Sequence, residues 1–134
     1  MPTIYVIIGL PACGKTTYAE KHFSDMPIID DPKTLNSIPH KMSNSFVLIS
    51  PMFCSDETGI ALDKYLRKHY KGWDIYRIWF RNEPDKCKRN AKRRADGRSV
   101  EHAIDILSRK YHPPDNALEI YDGYEVHCDQ DASR

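Results

Sequence analysis

The stretch IYVIIGLPACGKTTYAEKHF, Ile4 to Phe23, decides how the rest of the chain is read. Ile4–Ile8 is a run of β-branched and aromatic residues, as a buried strand requires. Thr16 to Phe23 has the pattern of an amphipathic helix. Between them stand Gly9, Pro11, Gly14 and Lys15, which serve neither element. The spacing Gly9-x4-Gly14-Lys15-Thr16 is that of a phosphate-binding loop, with a strand before it and a helix after it. The two glycines leave room for oxygens to approach the backbone. Successive amide N–H groups then face inward at the positive end of the helix starting near Lys15, an arrangement suited to a di- or triphosphate. The pattern assigns Gly9, Pro11, Ala12, Cys13, Gly14, Lys15, Thr16 and Thr17 to a nucleoside triphosphate, taken as ATP. Lys15, open to ligand, would reach the β- and γ-phosphates, and the Thr16 hydroxyl would bind Mg²⁺. The bland alternative is a glycine-rich β–α turn that binds nothing. Cys13 fills a variable position of the pattern and reads as a small loop residue, not a nucleophile.

Composition bounds the answer without choosing it. The 134 residues suffice for one core and are few for a nucleotide-binding sheet. A net charge of +1 gives no global argument for nucleic acid, so such a case has to rest on local charge. Cysteines at 13, 54, 87 and 128 lack the close pairs of a zinc site. With no leader pattern and no long apolar run, they read as free thiols in a reducing cytoplasm, and no membrane partner is expected. Residues 1–128 form one expected domain and 129–134 a frayed tail; oligomeric state is not legible.

Further strands are expected at Pro27–Ile29, at SFVLIS (45–50) and at WDIYRIWF (73–80). Residues 31–44 read as loop or short helix. Helices are expected at SDETGIALDKYLRKHY, with Ile60, Leu62, Tyr65, Leu66 and His69 on the apolar face, and at EPDKCKRNAKRRA, with Pro84 in its first turn. Another spans SVEHAIDILSRKY, where Ser99 is a candidate cap. LEIYDGYEVHC reads as a strand, or a hairpin turning at Asp122-Gly123. Alternating strands and helices predict an α/β three-layer sandwich, a mostly parallel sheet with helices on both faces.

Three further features bear on chemistry. Asp30-Asp31 closes the second hydrophobic segment, and in such sheets ligands gather at the carboxyl ends of the strands. A carboxylate there could take a proton from an attacking hydroxyl, though aspartate before proline is also a common turn residue. The run KCKRNAKRRADGR carries Lys86, Lys88, Arg89, Lys92, Arg93, Arg94 and Arg98 against the single acid Asp96. It reads either as a solvated face or as a lid bringing arginines to phosphate or substrate. The strand SFVLIS ends in Ser50-Pro51, where a standard metal-holding strand would end in aspartate. Asp56-Glu57-Thr58-Gly59 matches the short DxxG pattern of GTPase switches, but it lies well past the strand and reads as the capped start of the next helix.

Together these residues resemble the phage-type polynucleotide 5′-kinases, P-loop kinases that phosphorylate 5′-hydroxyl ends. GLPACGKTTYAEKHF is similar to their opening, and DDPK falls near the position of their Asp-Asp-x-Arg. WDIYRIWF, KRNAKRR and IDILSRKY follow in the family's order. The resemblance, which extends to small phage-encoded ATPase-like kinases, covers most of the chain from Ile4 to Tyr111. It implies ATP and Mg²⁺, catalytic roles for Lys15, Asp30 as base and Arg93 as transition-state arginine, and a nucleotide contact at Arg89. It also implies substrate contacts at Asp31, Lys33, Arg94 and Arg98, and a nucleic-acid 5′ end as partner. Lys33 stands where the family has arginine, so its grip on a phosphate lacks the bidentate fork. Two rival readings stand beside it, a kinase for a nucleoside, nucleotide or modified base and an ATP-binding module with no acceptor.

Overall fold

Four short hydrophobic runs build one parallel sheet. The computed structural model describes residues 2–94 and 100–120, with Arg94 described by its backbone alone. The elements run β1 (Thr3–Ile8), α1 (Lys15–His22), β2 (Ile28–Asp30), β3 (Phe46–Ile49), α2 (Asp56–His69), β4 (Asp74–Trp79), α3 (Pro84–Arg94) and α4 (Glu101–Ser108). Short 3-10 turns at Leu35–Ser37 and Pro51–Cys54 punctuate the connections.

The strand order is β2-β3-β1-β4, parallel throughout. From β1 the chain crosses β3 to reach β2, and from β3 it crosses β1 in the opposite direction to reach β4. Right-handed crossovers in opposite directions put α1 and α2 on opposite faces of the sheet. The layered α/β expectation therefore holds. The central strands are covered on both sides, and Ile4, Val6, Ile7, Ile8 and Phe46 to Ile49 are all buried. This is why β1 and β3 read as continuous apolar runs instead of alternating ones.

Several boundaries differ from the sequence reading. β2 is shifted by one residue, so that Asp30 is its last member and not the residue after it. α2 buries Leu62 and Leu66, while Ile60 stays 60 % exposed because, at 3.6 residues per turn, it stands on the other side of the helix from them. DxxG does open α2, with Ser55 at the N-cap position and Asp56 and Glu57 in the first turn, where acids suit the helix dipole. α4 begins after Val100, which makes no side-chain cap. The suggested Ser99 cap, the Asp122-Gly123 turn and the tail from 129 lie outside the described residues. Of the last expected strand, Leu118 is described; it forms a parallel bridge with Phe80 beyond β4.

A buried phenol ties these pieces together. The Tyr111 hydroxyl lies 3.2 Å from the Ile8 carbonyl and is hydrogen-bonded to that of Phe80. It joins the ends of β1 and β4 immediately before the glycine loop.

Candidate active site

Because all four strands run the same way, their carboxyl ends share one edge, and the loop Gly9 to Gly14 begins there. Cys13 N–H donates to the Leu10 carbonyl at 3.3 Å, closing a tight turn. Ala12 and Gly14 then take left-handed conformations, with φ 65° and φ 96°. The first helical bond runs from Tyr18 N–H to Gly14 O at 2.9 Å. The amides of Lys15, Thr16 and Thr17 precede it and, as at any helix start, are left for something outside the helix.

Gly9 is required for a different reason than Gly14. A Cβ there would stand 2.5 Å from Cys13 Sγ and 3.0 Å from Phe80 Cβ, both buried. Gly9→Ala should therefore cost about 1–3 kcal/mol, the usual range for overpacking a core. Thermal unfolding of Gly9→Ala, alone and combined with Cys13→Ala, checks this. Removing the sulfur should return part of the loss, and an unchanged midpoint in the single variant would contradict the crowding.

Lys15 departs from the expectation of an open side chain. It is 7 % exposed, and its ammonium lies inside the loop. Nζ donates to Gly9 O at 2.9 Å and Leu10 O at 2.7 Å, and lies 3.6 Å from Cys13 Sγ. Loop carbonyls thus hold the cation where the loop amides converge. Burial raises the Cys13 pKa, with Lys15 opposing, and pushes Cys54 and Cys87 up to about 12. All three thiols are free and buried. As protonated, enclosed groups they are poor nucleophiles, which fits Cys13 as a packing residue.

The successive aspartates diverge because Asp30 is extended while Asp31 is left-handed, with φ 56°. Asp31 N–H donates to Ile49 O at 2.6 Å, pinning this bend to β3. Asp30 consequently meets the phosphate loop: Thr16 Oγ1 donates to its Oδ2 at 3.0 Å. Asp31 turns the other way, pairing with Lys33 at 2.9 Å and receiving the Ser50 hydroxyl at 3.5 Å. Ser50 stands at the end of β3, where the sequence lacks an aspartate, so a carboxylate from the neighbouring strand occupies that region instead.

These groups line a cleft of about 720 Å³. Pro11, Ala12, Gly14, Lys15, Thr16 and Thr17 form the loop side. Asp30, Asp31, Ile49 and Pro51 form the strand side, and Val100, just before α4, with Ala103 of α4, closes it. The size falls in the range of small-molecule sites. Val100 and Ala103 were not singled out in the sequence, being ordinary apolar positions of the helix expected there. Thr16 and Asp30 offer hard oxygen donors of the kind Mg²⁺ prefers. Among the described residues no group of three or more His, Cys, Asp or Glu side chains gathers to hold a metal ion.

The basic run forms α3, which packs against α4. Several of its cations are already engaged at the surface: Lys86 pairs with Glu83 at 3.2 Å and Lys88 with Asp105 at 2.6 Å. Arg89 and Arg93 are exposed on α3 and are not among the residues lining the cleft. Arg98 and the Arg94 side chain lie outside the described residues. α3 reaches the loop through Asn90, whose amide donates to the Ala12 carbonyl at 3.0 Å.

No protein-family model matches the chain, and no curated protein matches it by sequence. Solved structures do. A gluconokinase from Sinorhizobium meliloti 1021 superposes with a TM-score of 0.59 at 14 % identity, over 89 % of this chain and 83 % of that one. The fold is the P-loop kinase fold. The crystal structure of APE1195 is similar too, with a TM-score of 0.56 at 12 % identity over 98 % of this chain and 91 % of that one. No helix among the described residues is long and apolar enough to cross a membrane.

Proposed function

We propose that this P-loop chain is an ATP-dependent kinase that phosphorylates a hydroxyl of a small, uncharged, hydroxyl-rich acceptor such as a nucleoside or sugar. The observation that carries the reading is the Asp30 carboxylate, 3.0 Å from the Thr16 hydroxyl, beside a loop that holds a lysine at its centre. A donor triphosphate would lie along the loop amides, its β- and γ-oxygens meeting Lys15. Thr16 would hold Mg²⁺, which would supply positive charge against the phosphates. Asp30, on the strand side of the cleft and bonded to Thr16, would take the proton of an attacking hydroxyl. Arg93 remains the proposed transition-state arginine and Arg89 a nucleotide contact.

The acceptor class follows from charge. Among the described residues the cleft's charged lining is Lys15, on the donor side, and two carboxylates. The adjacent cation, Lys33, is paired with Asp31. Such walls hydrogen-bond hydroxyls well and repel phosphodiesters. The gluconokinase sharing the fold is by its name a small-molecule kinase, the class proposed here. The 5′-hydroxyl of a polynucleotide is the second reading, favoured by Lys33 at the position of the family's substrate arginine; a nucleic-acid strand would need cations along its track.

Transfer of labelled γ-phosphate from ATP to a panel of nucleosides, sugars, sugar acids and 5′-hydroxyl oligonucleotides tests this. Label in the neutral small acceptors is the expected result. Label confined to oligonucleotides would replace it with the second reading, and ATP turnover indifferent to every acceptor would reduce the chain to an ATP-binding module.

A further inference from the structure

Among the described side chains of α3, the buried polar one is Asn90, which is 7 % exposed. Its amide bonds the Ala12 carbonyl, a residue 78 positions earlier in the chain. Ala12 is a non-glycine residue held at φ 65°, a conformation that costs about 1–2 kcal/mol. The next amide, Cys13 N–H, donates to Leu10 O. The Ala12–Cys13 peptide is therefore held at both ends, its oxygen by α3 and its N–H by the loop itself. Gly14 and the free amides at the start of α1 follow directly, so the plane of this peptide sets where they point.

We propose that Asn90 is a positioning residue for the nucleotide, and this rests on the kinase reading above. Its amide fixes the peptide that aims the loop N–H groups at the phosphates, and it ties the arginine-bearing helix to the loop. Arg93 lies three residues on, on the same helix face, so the same hydrogen bond sets its distance from the loop. An asparagine serving only to fill the core would affect stability and leave phosphate binding alone.

Direct titration with ATP and with inorganic tripolyphosphate, beside thermal unfolding, separates these roles. Asn90→Ala should bind both ligands about tenfold or more weakly, the scale of one lost, well-placed hydrogen bond. Asn90→Asp keeps the shape but sets a carboxylate oxygen against the Ala12 carbonyl and adds negative charge near the phosphates, so it should bind more weakly still. Asn82→Ala is the control. Its amide donates to Ser108 O at 2.7 Å and Tyr111 O at 3.1 Å, away from the loop. It should lower the thermal midpoint and leave affinity unchanged. Folded Asn90 variants that bind within about twofold of wild type would overturn the proposal, as would an equal affinity loss in Asn82→Ala. In those cases the kinase reading stands. A wild-type protein that binds neither ligand would remove that reading and this inference with it.

Discussion

Lys15→Met should leave a folded chain whose single-turnover phosphoryl transfer is slower by about 10³-fold or more, at least the loss seen when one preorganised donor is removed from a transition state. The ammonium sits among the loop carbonyls of Gly9 and Leu10. It is therefore a fixed charge at the point where the β- and γ-phosphates would lie, not a mobile surface cation. Fixed charges act without reorganising as charge shifts to the leaving group. Methionine preserves most of the buried stem, while the carbonyls of the buried Gly9 and Leu10 lose this donor, so the thermal midpoint should fall. The fold should survive the change while ATP binding weakens and chemistry nearly stops. Circular dichroism, ATP titration and single-turnover rates check the three parts. A folded variant with wild-type transfer would end the kinase assignment.

Asp30→Asn should slow transfer by about 10²–10⁴-fold with ATP affinity nearly unchanged, the range for a missing general base. The amide is isosteric and its oxygen can still accept the Thr16 hydroxyl proton, so local structure should hold. What disappears is the basicity. Asp31→Asn makes the comparison sharp. Asp31 belongs to an exposed pair with Lys33, of a kind that contributes at most about 1 kcal/mol. Asparagine also tolerates the left-handed φ of 56° at this position. Its effect on rate should be slight. The opposite ranking would make Asp31 the base, and two mild variants would make the pair a structural turn.

The donor half of this site was legible in the sequence because its information is local. A strand, a spaced glycine pair, a lysine and a helix define one another within twenty consecutive positions. Asp30 and Asp31 were visible as a pair, and the resemblance gave them different roles, but the geometry that separates them was not legible. It depends on a left-handed bend pinned to β3, a contact that no spacing rule contains. Asn90 was equally hidden, since in sequence it is one polar residue in a basic helix and its partner is distant. Ile60 misled because it is apolar but out of phase: at 3.6 residues per turn it stands across the helix from Leu62 and Leu66. Lys15 was placed correctly along the chain and wrongly in depth, because burial of a cation depends on carbonyls that only the folded loop gathers.

The width of the sheet on either side of β1 has one more consequence. Lys15 follows a six-residue strand hydrogen-bonded on both sides, whereas Asp30 ends a three-residue strand at the sheet's margin, paired on one side. On the kinase reading, the loop that would hold ATP follows a strand paired on both sides, and the proposed base ends a short strand paired on one. Amide exchange should follow that gradient, slow through β1 and β3 and fast from Ile28 to Asn44. On that reading the end of β2 is open to change while the loop after β1 stays as it is.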